Sequence, residues 1–290
     1  MTGAPFILPD FHDKVAVVTG ASRGIGRSLA LRLAQAGAAV AVAAKSVESK
    51  DSLPGSIHDT VRDIEAVGGS ALAVRTNVRD EADIQAMVDR TLERFGRIDF
   101  MIHNAGALWW RSVAETPAKR FDLVMEVNAR AAFLCAHAVL PHMIERGSGH
   151  VLVMSPPVDL RVLPNKVAYM ISKFGMTMLA MGLAEEVRAH GVAANALWPA
   201  TAIESQATIH HQLGTRAQWR KPEILADAAC AILARSAADC SGRALIDEEV
   251  LRAEGVTDFD VYNCVPGGQP LRIIGDAARA IVWNDRTGSR

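Results

Sequence analysis

The sequence is poor in the features that mark several large classes of protein. Of its 290 residues only 5% are aromatic, and 31 basic against 32 acidic side chains leave a formal net charge of -1. A nearly neutral chain has no overall field that attracts polyanions, so we expect no nucleic-acid partner. The four cysteines lack the close paired spacing of zinc or redox sites: Cys135, Cys230, Cys240 and Cys264.

Targeting signals and long hydrophobic runs are also missing. Residues 1–13 contain neither a basic segment nor an apolar segment of the signal-peptide type, and residues 287–290 match no retention or lipidation signal. The longest apolar stretches, such as residues 36–44, are far too short to span a bilayer. His137 and His142 do not have the spacing of zinc ligands on a helix. We therefore expect a cytoplasmic protein with no membrane insertion and no metal.

What the chain does have is a regular alternation of two hydrophobic patterns. Half of it (50%) is hydrophobic, and the mean hydropathy of +0.13 is typical of a compact globular protein. Short apolar runs predict strands at residues 15–19, 39–44, 71–76, 98–103, 150–155, 192–197 and 243–246. Longer segments of helical period predict helices at residues 25–36, 57–67, 80–95, 118–145, 165–190 and 222–236.

This alternation predicts the fold class. Strands separated by helices pair in parallel, and strands that are apolar throughout are buried on both faces. The expected fold is α/β, a doubly wound Rossmann-type seven-stranded parallel sheet with helices on both faces. We expect an N-terminal arm over residues 1–13, one domain over residues 14–250, and a C-terminal extension over residues 251–290 that packs on the same domain.

A glycine-rich segment joins the first strand to the first helix. Residues 19–26 read Thr-Gly-Ala-Ser-Arg-Gly-Ile-Gly, and an apolar-periodic helix follows at once. Glycines at such a turn let the backbone approach a pyrophosphate, whose charge is held by free amides at the helix N-terminus. The strand and helix context favours a dinucleotide site over a merely tight turn.

A second pattern supplies acid and base chemistry. Tyr169 and Lys173 stand four residues apart, which places the phenol and the ammonium on one face of a helix. Lowering a tyrosine pKa from about 10 to about 7 takes roughly 4 kcal/mol, and a fixed cation is the obvious source. Ser155 ends the fifth strand. Its hydroxyl is placed to orient a carbonyl oxygen that Tyr169 protonates.

Together these motifs resemble the short-chain dehydrogenase/reductase family over residues 14–247. Residues 53–57, 155–157, 196–199, 246–248 and 259–262 are similar to the hydroxysteroid dehydrogenase-like group within it, without a sterol-carrier domain. The resemblance implies hydride transfer between a nicotinamide and a carbonyl or carbinol carbon. It implies catalytic roles for Asn128, Ser155, Tyr169 and Lys173, with Tyr169 as general acid/base, Lys173 on the nicotinamide ribose, Ser155 on the substrate oxygen and Asn128 on a water of the proton relay.

The resemblance also implies a cofactor site. Its residues would be Gly20, Ser22, Arg23, Gly24, Ile25, Gly26, Lys45, Asn77, Val78, Asn104, Ala105, Gly106, Tyr169, Lys173, Pro199 and Thr201. Family members that prefer NAD place an acid at the end of the second strand, where this chain has Lys45. With Arg23 nearby, two cations would face a 2′-phosphate, so NADP(H) is expected and NAD(H) is less favoured.

Three loops predict an apolar substrate. Trp109 and Trp110, then Pro156, Val158, Leu160 and Val162, and finally Trp198 follow successive strands toward Tyr169. Such a lining accepts an apolar alcohol, aldehyde or ketone, although some of these side chains would instead pack on the tail or a neighbouring subunit. Residues 118–145 and 165–190 have wide apolar faces, and the resemblance implies that they pair in a homodimer or homotetramer.

Other functions remain open at this point. The same fold is used by non-catalytic NADP(H)-binding sensors and regulatory proteins, which typically lose the tyrosine or the lysine that this chain keeps. An enoyl reductase of this family has a wider spacing between the two residues than the four found here.

Overall fold

The computed structural model describes residues 6–156 and 163–274, and its centre is one sheet of seven strands. Most of the strands are short apolar runs that are buried nearly throughout, whereas the edge strand β3 is only partly buried. The strands are β1 (Val15–Thr19), β2 (Ala39–Ala44), β3 (Ala71–Arg75), β4 (Phe100–His103), β5 (Gly149–Met154), β6 (Val192–Trp198) and β7 (Arg243–Ile246). The predicted set of strands is confirmed, with ends that move by one or two residues.

All neighbouring strands pair in parallel, in the order β3-β2-β1-β4-β5-β6-β7. The order reverses between β1 and β4, because the chain first winds outward through β3 and then returns to the other side of β1. In sheets of this kind ligands bind at the carboxyl ends of the strands beside that reversal. The topology therefore places the candidate site above β1, β4 and β5.

Helices cover both faces of the sheet. They are α1 (Gly24–Gln35), α2 (Ile57–Ala66), α3 (Glu81–Phe95), α4 (Ala118–Val124), α5 (Ala131–Arg146), α6 (Val167–Glu186), α7 (Gln206–His210), α8 (Glu223–Leu233) and α9 (Asp247–Ala253). Several ends are set by local chemistry: the Ser56 side chain accepts from the backbone of Asp59 at the start of α2, and Gly96 adopts φ 76° after α3.

The core is divided into layers by the sheet. Ala16 and Val18 of β1 pack in one apolar cluster with residues of α1 and α8. Val17, between them, points the opposite way into a cluster that contains residues of α3 and α5. This alternation explains why the first four positions of the strand are all apolar, and it confirms a doubly wound α/β fold.

The fourth predicted helix is one continuous rod with an irregular turn. A π-helical segment, Met125–Arg130, joins α4 to α5 and carries Asn128. By length and composition, the helical segments Ala118–Arg146 and Val167–Glu186 are apolar enough to cross a membrane. The prediction of no membrane insertion rested on uninterrupted apolar stretches, which are shorter than these helices. In their most apolar windows 39% and 50% of the residues are buried within this subunit. Each helix thus packs on the sheet with one face and leaves another uncovered.

The tail after α9 folds back onto the domain. A short 3-10 turn, Asp260–Tyr262, brings the Tyr262 hydroxyl within 2.7 Å of Asp227, to which it donates. Asp227 lies on α8 and also binds Arg32 of α1. Residues 269–273 then hydrogen bond to segments that follow β6. The last sixteen residues of the predicted extension lie outside the described part of the chain.

Candidate active site

The glycine turn is built for close approach of the backbone. Gly20 and Gly24 adopt positive φ of 68° and 53°, which side chains other than glycine rarely allow. A Cβ on Gly26 would lie 2.3 Å from the Gly20 carbonyl oxygen and 2.5 Å from Asn104 Nδ2. Arg23 is the N-cap of α1, but its side chain makes no capping hydrogen bond, and the first turn of the helix contains no acidic residue. No side chain of this cap therefore occupies the backbone N–H groups of the first turn, and they can bind an anion.

The Asn-Ala-Gly segment after β4 clamps this turn. Asn104 Nδ2 donates to the carbonyl of Thr19 at 3.0 Å, and the backbone N–H groups of Asn104 and Ala105 both donate to Thr19 Oγ1 at 3.1 Å. Since Thr19 Oγ1 accepts these two bonds, its own proton is directed to His103 Nδ1, which lies 3.2 Å away and accepts it. The proton of the neutral His103 ring is then on Nε2, which donates to the Val127 carbonyl. Burial lowers the pKa of His103 to about 3, which keeps the ring neutral.

The residues expected to determine the preference for NADP(H) over NAD(H) lie near the end of β2. Arg23 donates to the carbonyls of Pro54 and Gly55 at 2.9 and 2.6 Å, and to Ser46 Oγ at 3.1 Å. Lys45 is exposed beside Ser46. The polar loop 46–55 therefore wraps around Arg23 at the carboxyl edge of the sheet. The guanidinium was expected to be free for a phosphate, but it is held by the loop.

Asn77 and Val78 follow β3 at the same edge. Val78 is buried, whereas the Asn77 amide oxygen accepts from the Arg79 backbone at a long 3.4 Å. The Asn77 backbone N–H donates to Asp83 at 2.8 Å, which fixes this loop against the start of α3. Their predicted part in cofactor binding stays a prediction.

Tyr169 and Lys173 lie in the first half of α6, one turn apart. The Lys173 ammonium is 5.9 Å from the centre of the Tyr169 ring and donates to the Met154 carbonyl at 3.0 Å. Burial lowers the pKa of Lys173 to about 8 and raises the pKa of Tyr169 above its usual value of 10.0. The expected lowering of the tyrosine pKa is therefore not seen here, and burial is the cause of the opposite shift. The phenol is held protonated at neutral pH.

Ser155 is part of a hydrogen-bonded chain that the sequence analysis missed. The Trp198 indole donates to Thr177 Oγ1 at 3.3 Å, Thr177 donates to Ser155 Oγ at 3.1 Å, and Ser155 donates to the Lys173 carbonyl at 2.9 Å. Thr177 continues the spacing of four from Tyr169 and Lys173 along α6, which is the signal that would have found it.

Asn128 makes all its side-chain hydrogen bonds to protein. Its amide oxygen accepts from Ala107 N at 2.8 Å, and its nitrogen donates to the Ala107 carbonyl at 2.9 Å and to Ser172 Oγ at 2.8 Å. A Cβ on Gly106 would lie 3.5 Å from both Asn128 Oδ1 and Lys173 Nζ. Asn128 thus ties the Asn-Ala-Gly loop to α6, and its expected hold on a water stays a prediction.

The loop after β6 lies opposite the glycine turn. Pro199 and Thr201 line the cavity described below, and the Ala200 N–H donates to the Asp247 carboxylate at 2.9 Å. Thr201 Oγ1 is buried with no hydrogen-bond partner in the described structure. A buried hydroxyl without a partner is costly, so it fits a polar group that binds there. Burial also raises the pKa of Asp247 to about 7.

Seven of the predicted site residues line one cavity of about 700 Å³, whereas the others, among them Lys45, Asn77 and Asn128, do not. Ser155, Tyr169, Lys173, Asn104 and Thr201 line it on its polar side. The rest is mainly apolar: Ile25, Leu108, Trp110, Met154, Pro156, Met170, Leu197, Pro199, Ala202, Ile203, Ala207, Leu213, Leu225, Leu271, Ile273 and Ile274. The arrangement suits a flat aromatic cofactor ring and an apolar substrate side by side.

Two of the three tryptophans expected in the cavity lie elsewhere. Trp198 is fully buried behind α6, and Trp109 donates to Thr116 at 3.2 Å beneath the Arg120 guanidinium. Trp110 does line the cavity, with its ring centre 6.3 Å from that of Tyr169. Pro156 also lines it, while Val158, Leu160 and Val162 lie outside the described residues.

A nicotinamide dinucleotide fits the residues present. The turn at Gly24, where an added Cβ would meet no atom within 4 Å, would hold the pyrophosphate. Lys173 and Tyr169 would hold the nicotinamide ribose, and the partnerless hydroxyl of Thr201 would hold the carboxamide. Each assignment uses a donor or an open backbone position that the structure shows.

Known proteins resemble this chain over most of its length. The sequence model of the short chain dehydrogenases matches residues 14–212. The hydroxysteroid dehydrogenase-like protein 2 of Xenopus tropicalis is 43% identical over 253 residues, which is 86% of this chain and 60% of the relative. The human protein of that name is 42% identical over 258 residues, or 88% of this chain and 61% of the relative. The chain thus spans about three fifths of the length of these relatives.

Solved structures of short-chain dehydrogenases and oxidoreductases also resemble this chain. A short chain dehydrogenase from Mycobacterium thermoresistibile superposes with a TM-score of 0.84 at 39% identity and covers 94% of this chain and 96% of its own. A metagenomic short-chain oxidoreductase in complex with NADP has a TM-score of 0.69 at 28% identity over 81% of this chain and 96% of its own.

Proposed function

Because this chain belongs to the short-chain dehydrogenase/reductase family of oxidoreductases, we propose that it transfers a hydride between NADP(H) and the carbonyl or carbinol carbon of an apolar alcohol, aldehyde or ketone. The observation that carries the proposal is that Tyr169, Ser155 and Lys173 line one mainly apolar cavity together with Ile25, which follows the glycine turn, and with the loop after β6.

The chain's own residues supply the proton and the geometry. When bound, the nicotinamide gives or takes the hydride. Burial keeps the Tyr169 phenol protonated, which is the form that donates to a carbonyl oxygen as negative charge develops there. The Thr177 bond fixes Ser155 at the cavity wall, where its hydroxyl, which donates to the Lys173 carbonyl in this structure, turns to donate to the substrate oxygen. Lys173, anchored on the Met154 carbonyl, binds the ribose beside Tyr169.

The preference for NADP(H) rests on charge at the end of β2. Lys45 is exposed there, and no carboxylate occupies the position that would bind a free ribose 2′-hydroxyl. The loop carbonyls of Pro54 and Gly55 hold the Arg23 guanidinium next to Ser46. A fixed guanidinium and a free ammonium together favour a 2′-phosphate through charge-assisted hydrogen bonds.

The uncovered faces of α5 and α6 support assembly into a homodimer or homotetramer. Ile171 and Met178, seven positions apart on α6, are 47% and 72% exposed, and Phe133 on α5 is 55% exposed. Exposed apolar faces of this kind mark interaction sites, and we propose that a second copy of the chain, and not a bilayer, buries them. We also propose a cytoplasmic location, which is consistent with four buried cysteines that are all free.

A substrate panel tests the proposed function. The purified protein is incubated with NADPH or NADH and a series of apolar ketones and aldehydes of increasing length, together with a sugar. We expect absorbance loss with NADPH, and kcat/KM that rises with chain length, since each buried methylene contributes about 0.8 kcal/mol. Binding of NADPH without turnover of any compound would instead support a sensor on this fold.

A further inference from the structure

The C-terminal tail forms one wall of the cavity. Four consecutive residues, 271–274, line the same space as the catalytic tyrosine. The Leu271 carbonyl accepts from Ala202 N at 2.8 Å, and Ile273 N donates to the Ala200 carbonyl at 3.0 Å. Arg272, between these two residues, pairs with Thr201 of the loop in an antiparallel β-bridge. The tail is therefore hydrogen bonded, like an added strand, to the loop that would face the nicotinamide.

Apolar contacts fix the tail on both sides of this pairing. Ile274 is 7% exposed and packs in a cluster with Trp198 and Ala200. Ile273 packs instead against the small cluster that contains Trp219. Because the two neighbouring side chains enter different clusters, the tail has little freedom to slide along the loop.

A buried carboxylate joins the tail to the segment on the other side of the loop. Glu248 is 1% exposed, and its Oε2 accepts from Arg272 Nη1 at 3.1 Å. Its Oε1 lies 3.0 Å from Nη2 of Arg220, whose backbone N–H donates to the Ala202 carbonyl at 2.9 Å. The Arg252 guanidinium on the same helix lies 3.4 Å from Oε2 as well. Removing one partner of a buried ion pair is costly, so Glu248 ties together the segments that carry Arg220 and Arg272.

We propose, on the premise of the function above, that residues 271–274 are the specificity-determining wall of the substrate cavity. Glu248 is the positioning residue that holds this wall, through Arg272, against the loop after β6. The wall presents the aliphatic side chains of Leu271 and Ile273, so it selects long apolar substrates over compact ones.

The first experiment truncates the wall. Leu271→Ala and Ile273→Ala are compared with Val261→Ala, a tail residue that is 58% exposed and does not line the cavity. We measure the ratio of kcat/KM for the longest and the shortest substrates of the panel at saturating NADPH. The two wall variants should lower this ratio about threefold to tenfold, as expected for lost methylene contacts, and Val261→Ala should leave it unchanged. Wall variants that keep the wild-type ratio would overturn the proposal.

The second experiment tests Glu248 with a charge-neutral replacement. In Glu248→Gln the KM of the longest substrate should rise while kcat is retained, because the wall loosens and the proton-transfer groups stay in place. The control is Arg252→Gln, which removes a guanidinium 3.4 Å from the same carboxylate but outside the cavity lining. A merely structural role would lower the melting temperature and leave the substrate ratio unchanged. Should Glu248→Gln not fold, Arg272→Gln tests the same contact from its half-exposed partner.

A binding probe separates this proposal from the proposed function. N-phenyl-1-naphthylamine, an uncharged fluorophore, is titrated into wild type, Leu271→Ala and Val261→Ala. Weaker binding to Leu271→Ala alone supports the wall even if no carbonyl compound is turned over. Equal binding to all three proteins would refute the wall even if NADPH is oxidised with every ketone.

Discussion

At the scale of single residues, the Tyr169 hydroxyl is the group on which the proposed reaction depends most. The chain has only two tyrosines, and the other, Tyr262, donates to Asp227 away from the cavity. Tyr169→Phe should lower kcat about a hundredfold or more, because the ring still packs and no proton is delivered. Dissociation of NADPH, followed by tryptophan fluorescence, should barely change.

Tyr262→Phe is the matched control. It should keep wild-type kcat and lose about 1.5 to 3 kcal/mol of unfolding free energy, the usual contribution of a hydrogen bond to a charged group. If the two variants were equally active, Tyr169 would not be the acid/base of the reaction.

Lys45 is predicted to set the cofactor preference. Lys45→Asp should weaken NADPH binding about ten- to a hundredfold, the effect of losing one charge-assisted phosphate contact, and should leave NADH binding unharmed or improved. Lys119→Asp, an exposed change of equal charge on α4, serves as the control. Titrations of both cofactors decide the matter. Equal affinity of the wild type for NADPH and NADH would contradict the assignment.

The sequence predicted site residues well where the backbone fixes them and poorly where side-chain direction decides. Tyr169 and Lys173 share a helix face by spacing alone, and both line the cavity. Trp198 ends a strand, where a side chain points to either face of the sheet, and it turned into the core. The pKa of Tyr169 depends on burial by distant segments, which no local pattern reports.

At the scale of elements, the start of α9 is predicted to make stability depend on pH. Asp247 has a pKa of about 7 against an ordinary value of 3.8, so the folded state binds its proton more tightly than the unfolded state does. Its contribution to stability is therefore full below the ordinary pKa and is lost as the pH rises from there to about 7.

Asp247→Asn removes this titration and keeps a side-chain oxygen for the Ala200 and Glu248 amides. The melting temperature of the variant relative to wild type should accordingly rise between pH 5 and pH 7.5. Wild type and Asp247→Asn with parallel pH profiles would show that Asp247 titrates normally.

Long elements with a clear period were predictable, and short or irregular ones were not. Helix α7 has five residues, too few to show a helical period. The π segment around Asn128 is stabilised by contacts with Ala107 and Ser172, which are far away in sequence. The pairing of the tail with the loop after β6 is likewise a contact between distant segments that hydrophobic patterns do not encode.

At the scale of the whole molecule, the fold followed from the alternation of apolar strands and amphipathic helices. The same pattern left two helix faces without a cover, and Met178 is the most exposed large apolar side chain on α6. Met178→Lys should convert the assembled protein to smaller species in light scattering, because it places a charge in an apolar interface. Val67→Lys, at a site that is 50% exposed beyond α2, should leave the assembly intact.

A wild-type protein that is monomeric at micromolar concentration would contradict the proposed assembly. Partition of the wild type, and not of Met178→Lys, into lipid vesicles would point instead to a membrane cover.

The central claim is direct hydride transfer in a cavity where Tyr169 supplies the proton. It is tested most directly with NADPH that carries deuterium at the reactive C4 position, a productive apolar ketone and mass spectrometry of the alcohol formed. We predict one deuterium on the carbinol carbon with wild type and almost no product with Tyr169→Phe. An alcohol without deuterium, or equal yields from the two proteins, would contradict the account.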